Sequence, residues 1–481
     1  MHSVSDILAR LIREILNKQP EILSSNQAAA VAEPVYEDRA SLNKIFSEVS
    51  KQLTYKGKIC RDTLSDEVYK EIFSKSNLEN PVLLYNILER MERNFFRVSV
   101  KQKFLCLNTN YESTGIYILP RVSSILEGKN QLEMQEKMFA HIIYIKASQL
   151  IVGGEKYTIE NIYPQADTIT AVQNYEKLRI VVSPLTHGDV LDVNEVCTKS
   201  GSGFEIRGLK APQNVENRVK KIINLACERK ADIVLFPEML GTDFMGTKEF
   251  WKAISNSQTN MPMITVLPSI WHEGKNELCA FDSAGLQLFT QQKQFPYYHN
   301  KNNEEYNVPA YRSYLKEAIY DMDRKINIFH WEGIGRIVTV ICRDFITPDY
   351  RDMIIKIFQP TILLISSFSN GDKPFIDGMF STAPYNCCCV WINACAAKRT
   401  IKADAGNFEI SHKINGGVFI PSTPGSGRIP TVFKLGCECM NETLCKGPCL
   451  YTIDLPLQGN AEAIVCKFER LKEDNISIGG Y

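Results

Sequence analysis

The chain has no charge of one sign to spare. Over 481 residues, 55 lysines and arginines meet 55 aspartates and glutamates. That balance removes the simple electrostatic case for nucleic acid as a partner, because phosphate binding rests on a basic surplus. No apolar run reaches the ~20 residues that a membrane-spanning helix needs. The opening residues lack the apolar core of a secretory signal, since Asp6, Arg10, Arg13 and Glu14 interrupt it, and a cytoplasmic setting is the expectation. There the 15 cysteines are expected to stay reduced, some of them for metal binding or catalysis. No internal repeat occurs, and the seven histidines show no pairing at metal-ligand spacing.

What is present is ordinary in bulk. Hydrophobic residues make up 44% and charged residues 23%, a globular balance. The length predicts two or more domains with ample core. Val4, Ile7, Leu8, Leu11, Ile12, Ile15 and Leu16 recur at helical spacing opposite Arg10, Arg13, Glu14 and Asn17. They predict an amphipathic helix over 5–18, capped by Ser3 or Ser5 and ended by Pro20. Packing on its own domain is its expected use, and docking onto a protein partner is the alternative. The stretch 24–34 reads as a linker. Two further stripes, Leu42, Ile45, Phe46, Val49, Leu53 and Leu83, Leu84, Ile87, Leu88, Met91, predict two more helices. Residues 95–107 and 114–119 read as strands, 134–145 as a helix, and Gly153-Gly154 as a turn. Residues 1–175 thus make a smaller, mainly helical α+β domain with no cluster of chemical meaning.

From Lys177 the pattern changes. Strand 178–183, a glycine-containing loop 201–212, a helix with the stripe Val215, Val219, Ile222, Ile223, Ala226, and strand 232–237 form a βαβ unit and so a parallel pair. Strand 263–268 and the hairpin 278–289 lead to Lys293. A loop and short helix carrying Glu304, Glu305, Glu317 and Asp321 follow, then the buried strand Ile337 to Ile341, which ends at Cys342. A helix 349–358, a strand 361–366, a helix around 384–389 and strands 390–394, 416–420 and 450–455 close the set.

Glu238, Lys293 and Cys342 therefore stand at strand ends or a hairpin exit, where ligands of open α/β sheets bind. A cysteine attacks a carbonyl or nitrile carbon as the thiolate, so it needs a base and a cationic neighbourhood. A carboxylate can take that proton and pass it to a leaving amine. An ammonium can hold the oxyanion, helped by the backbone N–H after the nucleophile.

The order Phe236-Pro237-Glu238, then Gln291-Gln292-Lys293 behind a hairpin, then Ile341-Cys342-Arg343-Asp344 resembles the nitrilase (carbon–nitrogen hydrolase) superfamily. The likeness runs over about residues 178–455, taking in Pro348, Arg351, Ser366-Ser367-Phe368, Trp391 to Ala394 and a late glycine turn at Gly416-Gly417. It implies an α/β fold, a four-layer αββα sandwich over 176–481, with Glu238 as base, Lys293 as the triad lysine and Cys342 as nucleophile. A second glutamate is implied between lysine and cysteine. Glu317 is the choice and Glu305 the runner-up. Arg343, Asp344 and Asn393 are placed around substrate and oxyanion. Arg343 departs from the aromatic or small residue that many members carry, which makes the pocket rim more cationic.

The implied activity is hydrolysis of a non-peptide carbon–nitrogen bond in a small molecule, an amide before a nitrile, without a cofactor. A reading from another class stands beside it: a nitrilase-fold binding or assembly module in a multi-component complex, phage defence being one setting. A homo-oligomer is expected, built on the helix bearing Met353, Ile354, Ile357 and Phe358, on the region near Pro384, and on the first helix. Cys437, Cys439, Cys445 and Cys449 fall within one loop; four thiolates suit tetrahedral structural zinc, and free loop thiols are the alternative. Cys387, Cys388, Cys389 and Cys395 are expected to fill a helix–sheet contact.

Overall fold

The computed structural model describes residues 2–23, 36–55, 58–59, 63–96, 111–120, 142–163, 177–186, 190–198, 201–255, 260–300, 314–320, 322–331, 334–369, 371–385, 387–397, 400–402, 408–410, 414–421, 430–436, 449–456 and 465–470. The chain forms two compact units, Met1–Gln173 with Ile328–Gly335, and Asn174–Asn327 with Arg336–Tyr481.

In the first unit, helix α1 (Val4–Lys18) is capped by Ser3, whose hydroxyl accepts the Asp6 N–H at 3.0 Å. Its apolar stripe, Val4, Ile7, Leu8, Leu11, Ile12 and Ile15, is buried among the stripes of α2 (Tyr36–Leu53) and α3 (Pro81–Met91). The helix is thus spent on its own core rather than held out for docking. Pro81 sits at the first position of α3, where its missing N–H costs nothing, and Asn80 caps the Leu83 N–H at 3.0 Å. Two expectations fail here. Phe95 and Phe96 continue α3 as a π-helical turn. Ile142 and Ile143 lie in strand β2 (Ile142–Lys146), antiparallel to β1 (Ile116–Pro120), because the β-branched run Ile142-Ile143-Tyr144-Ile145 favours a strand over the helix its spacing also allows. Residues 24–34 and 97–107 lie outside the described residues. In the segment that joins from later in the chain, His330 shares a 2.8 Å hydrogen bond with Asn161.

The second unit carries the α/β sandwich. Its elements are β3 (Lys177–Val182), β4 (Leu191–Thr198), β5 (Gly201–Leu209), α4 (Pro212–Glu228), β6 (Ile233–Leu235), β7 (Ile264–Val266), β8 (Ile270–His272), β9 (Lys275–Phe281), β10 (Gln287–Gln292), β11 (Tyr298–Asn300), β12 (Tyr314–Glu317), β13 (Gly335–Ile341), α5 (Pro348–Met353), β14 (Ile362–Ser367), α6 (Lys373–Phe380), β15 (Cys388–Asn393), β16 (Ile414–Ile420), β17 (Thr431–Gly436), β18 (Cys449–Pro456) and β19 (Val465–Arg470). One sheet runs β8-β9-β7-β6-β3-β18-β19, with β10 also on β9, and β3, β6 and β7 are parallel. The other runs β17-β16-β15-β14-β13 in this unit, with β13, β14 and β15 parallel. A small third sheet is β4-β5-β12-β11.

Side chains alternate across a strand, and here both faces are covered. Val181 and Val234 join the α4 stripe Val215, Val219, Ile222, Ile223 and Ala226 in one buried cluster. Their neighbours Ile180, Val182, Ile233 and Leu235 turn to the opposite face and are equally buried. On the second sheet, the Trp391 ring of β15 stacks on Phe375 of α6, with centroids 4.7 Å apart. The two sheets are stitched at their strand ends, where Ser366 Oγ donates to the Phe236 carbonyl at 2.6 Å. The layers are helix, sheet, sheet, helix.

Several local expectations are corrected. Residues 201–209 form strand β5, with Phe204 and Ile206 buried in alternation, rather than a loop. Glu317 ends a strand rather than sitting in a short helix. Cys388 and Cys389 open strand β15. Met353, Ile354 and Phe358 are buried inside the unit, so they are core and offer no face to a second copy. Gly416 and Gly417 lie inside β16, at a register shift, rather than in a turn. A Cβ on Gly416 would collide with the backbone oxygen of Trp391, whereas one on Gly417 would meet nothing nearer than the Val432 side chain, at 3.3 Å.

Gly416→Ala is therefore expected to destabilise the protein by about 2 kcal/mol or more, since backbone cannot give way, and Gly417→Ala by clearly less. Urea unfolding of the two variants checks the order, and equal midpoints would contradict the close approach.

Candidate active site

Glu238 follows β6 and Cys342 follows β13, each at the C-terminal end of a parallel strand. Lys293 follows β10. Both turns are strained: Met239, after Glu238, has φ +66°, and Cys342 itself has φ +46°. Side chains rarely adopt such values, at a cost on the order of 1–3 kcal/mol each. Cys342 is held there by its N–H to the Ser366 carbonyl at 2.7 Å, and its own carbonyl accepts the Phe345 N–H at 3.1 Å.

The three side chains converge. Lys293 Nζ donates to Glu238 Oε1 at 2.7 Å and to Glu317 Oε2 at 2.6 Å. The buried Cys342 thiol lies within the electrostatic reach of both the Glu238 carboxylate and the Lys293 ammonium. Glu238 Oε2 also accepts the Phe368 N–H at 2.8 Å, and Glu317 Oε2 the Tyr297 N–H at 2.7 Å. Cys342 is 2% exposed, Lys293 1%, Glu238 and Glu317 0%.

Burial pushes the Glu238 carboxyl above the usual range, against the pull of Lys293. Burial alone would lower the Lys293 ammonium, but Glu238 and Glu317 outweigh it and hold the proton on well above the ordinary lysine value. Burial, then the charge of Glu238, pushes the Cys342 thiol well up. At rest the site holds a neutral thiol beside a carboxylate, with a fixed cation behind it.

Of the two glutamates weighed for the fourth position, Glu317 is the one that meets the lysine; Glu305 lies outside the described residues. Asp344 and Asn393 turn out to hold backbone. Asp344 Oδ1 accepts the N–H groups of Gln294 and Phe295, both at 2.9 Å, which ties the exit after Lys293 to the turn after Cys342. Asn393 Oδ1 accepts from Ser367 Oγ and the Ser369 N–H, both at 2.8 Å, and its Nδ2 donates to the Ser369 carbonyl at 2.8 Å. It thereby fixes the segment that carries the Phe368 N–H. Arg343 is half-buried, its guanidinium 5.1 Å from the Tyr298 ring centre.

One residue escaped sequence reasoning. Asn276, on β9, is buried and donates from Nδ2 to Glu238 Oε1 at 2.9 Å and to Glu317 Oε1 at 3.1 Å, while its carbonyl accepts the Lys293 N–H at 2.8 Å. The only hint was a polar residue in a strand whose neighbours alternate with apolar ones.

Of the four loop cysteines, only Cys449 is described. It is buried at the start of β18, and its carbonyl accepts from Ser183 Oγ at 2.6 Å; Cys437, Cys439 and Cys445 lie outside the described residues. Cys387, Cys388, Cys389 and Cys395 are buried and form no disulfide among the described residues. Among the described residues no group of His, Cys, Asp and Glu is arranged to hold a metal, and no helix is long and apolar enough to cross a membrane.

The sandwich and its glutamate–lysine–cysteine cluster have the form that the resemblance to the nitrilase superfamily implied. No protein-family model matches the chain, and no curated protein does. Among solved structures it is similar to an amidase from Nesterenkonia sp., with TM-score 0.36 and 15% identity, over 59% of this chain and 92% of that one. A variant of the Nesterenkonia AN1 amidase from the nitrilase superfamily gives TM-score 0.37, 15% identity and the same coverage, 59% and 92%. Another variant of that amidase, showing covalent addition of the acetamide moiety of fluoroacetamide at its active site cysteine, gives 0.36 and 14%, over 58% and 90%.

Two outcomes follow from this geometry. Lys293→Met leaves two buried carboxylates without their cation and is expected to lower stability by about 3–5 kcal/mol, measured by chemical unfolding; a loss under 1 kcal/mol would mean that the ammonium does not bridge them. Asp344 is raised by burial from its ordinary 3.8 to about 8, and its Oδ2 meets no partner, as suits a protonated acid. Between those pH values the folded chain holds a proton that the unfolded chain has released, so this group makes stability fall as pH rises. Asp344→Asn keeps the Oδ1 acceptor and has no proton to lose. Its Tm is expected to fall less steeply than the wild type's from pH 5 to 8 and to exceed it at pH 8; a parallel slope would contradict a neutral Asp344.

Proposed function

We propose that the protein is a cysteine-dependent hydrolase of a small, non-peptide amide. One observation carries the reading: a buried lysine bridges two glutamates, and one of these glutamates acts electrostatically on the buried thiol of a cysteine in a strained turn. A purely structural ion pair has no need of a thiol in that place, and a positive-φ cysteine serves no packing purpose that an ordinary residue would not serve better.

Glu238 takes the proton of Cys342 as the sulfur attacks the amide carbon, forming the C–S bond and moving the carbonyl electrons onto oxygen. Lys293 gives two of its three N–H groups to carboxylates, and the third is available to that oxygen. The Arg343 N–H, first in the short helix Arg343–Ile346, is a second donor without an intrahelical partner. Glu238 then returns the proton to the nitrogen, the C–N bond breaks, and ammonia or an amine leaves. Water adds to the thioester while Glu238 takes its proton, and the C–S bond breaks with that proton returning to sulfur. The products are a carboxylic acid and the amine. Glu317 and Asn276 keep Lys293 and Glu238 in register and touch no reacting atom.

Cys342→Ala and Cys342→Ser are expected to lower ammonia release from a panel of short primary amides by at least about 10³-fold, with Tm little changed. Wild-type activity is expected to fall as pH drops through the raised Glu238 range, since the base must be ionised. Near-normal turnover in either cysteine variant would overturn the proposal.

A further inference from the structure

Arg343 stands next to the nucleophile, yet its side chain has no part in the steps above. Three other arginines of the unit form ion pairs, Arg179 with Asp454 at 2.7 Å, Arg207 with Glu205 at 3.8 Å and Arg351 with Asp352 at 3.7 Å. Among the described residues the Arg343 guanidinium has no carboxylate partner and lies over the Tyr298 ring. The carboxylates of the site are engaged elsewhere, Glu238 and Glu317 by Lys293, Asp344 by the backbone of Gln294 and Phe295. A guanidinium does not shed its charge, so half-burying one next to the reacting sulfur leaves a standing demand for an anion.

Its position says where that anion would lie. Cys342 is 2% exposed, whereas Tyr298 is 43% exposed. Tyr298 follows Tyr297, whose N–H donates to Glu317 Oε2 at 2.7 Å, so the Arg343–Tyr298 pair borders the buried cluster and reaches solvent, where the far end of a bound molecule would be. A planar guanidinium, steadied on one side by an aromatic ring, offers a two-pronged donor edge that matches a carboxylate.

We infer that the substrate is an anionic amide, a short chain with the scissile carboxamide at one end and a carboxylate at the other, held by Arg343 over Tyr298. The inference rests on the amidase reading and adds the chemistry of the remote group.

The test compares succinamate with butyramide, which match in length and differ in the terminal carboxylate, using ammonia release by wild type, Arg343→Gln and Arg343→Lys. Wild type is expected to favour succinamate in kcat/KM by about tenfold or more. The ratio should fall to about one in Arg343→Gln and be partly kept in Arg343→Lys, which retains charge without the fork. A wild-type ratio of one or less, or a ratio that survives in Arg343→Gln, overturns the inference. A second arm does not require hydrolysis. Alkylation of Cys342 by iodoacetyl-β-alanine and by N-propyl-iodoacetamide is followed by intact mass, each rate normalised to that on 2-mercaptoethanol. Wild type should favour the carboxylate reagent about fivefold or more, and Arg343→Gln should not. If no amide is cleaved while this preference holds, the amidase reading fails and the anion site stands. If amides are cleaved while both ratios sit at one, the anion site fails alone.

Discussion

A lysine ammonium closed off from water between two carboxylates is the constraint to which the rest of the second unit answers. Removing such an ion from water costs several kcal/mol even after relaxation, and the attraction of its partners recovers this only when geometry is close and the remaining polar atoms are satisfied. Both conditions hold: two contacts of 2.7 and 2.6 Å, and Asn276 with the N–H groups of Phe368 and Tyr297 on the carboxylate oxygens. Burial and the charge of Glu238 favour the neutral form of the Cys342 thiol.

The five side chains of that cluster, Glu238, Asn276, Lys293, Glu317 and Cys342, come from five separate strands or strand ends, and several of these are tied together by residues outside the cluster. Asp344 locks the exit of Lys293 to the turn of Cys342. Asn393 locks the serine segment that presents Phe368. Ser366 joins the two sheets at the Phe236 carbonyl, next to Glu238. Side-chain to backbone hydrogen bonds across sheet ends thus hold the segments that carry Glu238, Lys293 and Cys342 in register.

Much of this was legible in the residue order. Ile233 to Leu235 and Ile337 to Ile341 read as buried strands because both faces are covered and the runs are short and β-branched. The triad could be read because each member ends or leaves such an element. What escaped was long-range. Asn276 looks like any polar residue in a strand, and its partners lie 38 and 41 positions away. Asp344 and Asn393 were picked out as polar groups near the chemistry, but whether an oxygen faces a ligand or a backbone N–H is decided by how strands from distant parts of the chain are stacked. The glycines at 201–208 were misread for a different reason: they sit within a strand, whereas local reading takes glycine as a loop signal; at 416–417 the strand reading holds and the turn that the resemblance implied does not. Ile142 and Ile143 failed because a short apolar run fits both periods.

The segment Ile328–Gly335 belongs to the first unit although the chain on either side of it belongs to the second. The first unit is therefore discontinuous, completed by residues that are made only after the lysine of the triad and just before its cysteine. Such a chain is not two beads on a string. A cut at the apparent boundary near residue 175 would separate the first unit from the later segment that completes it.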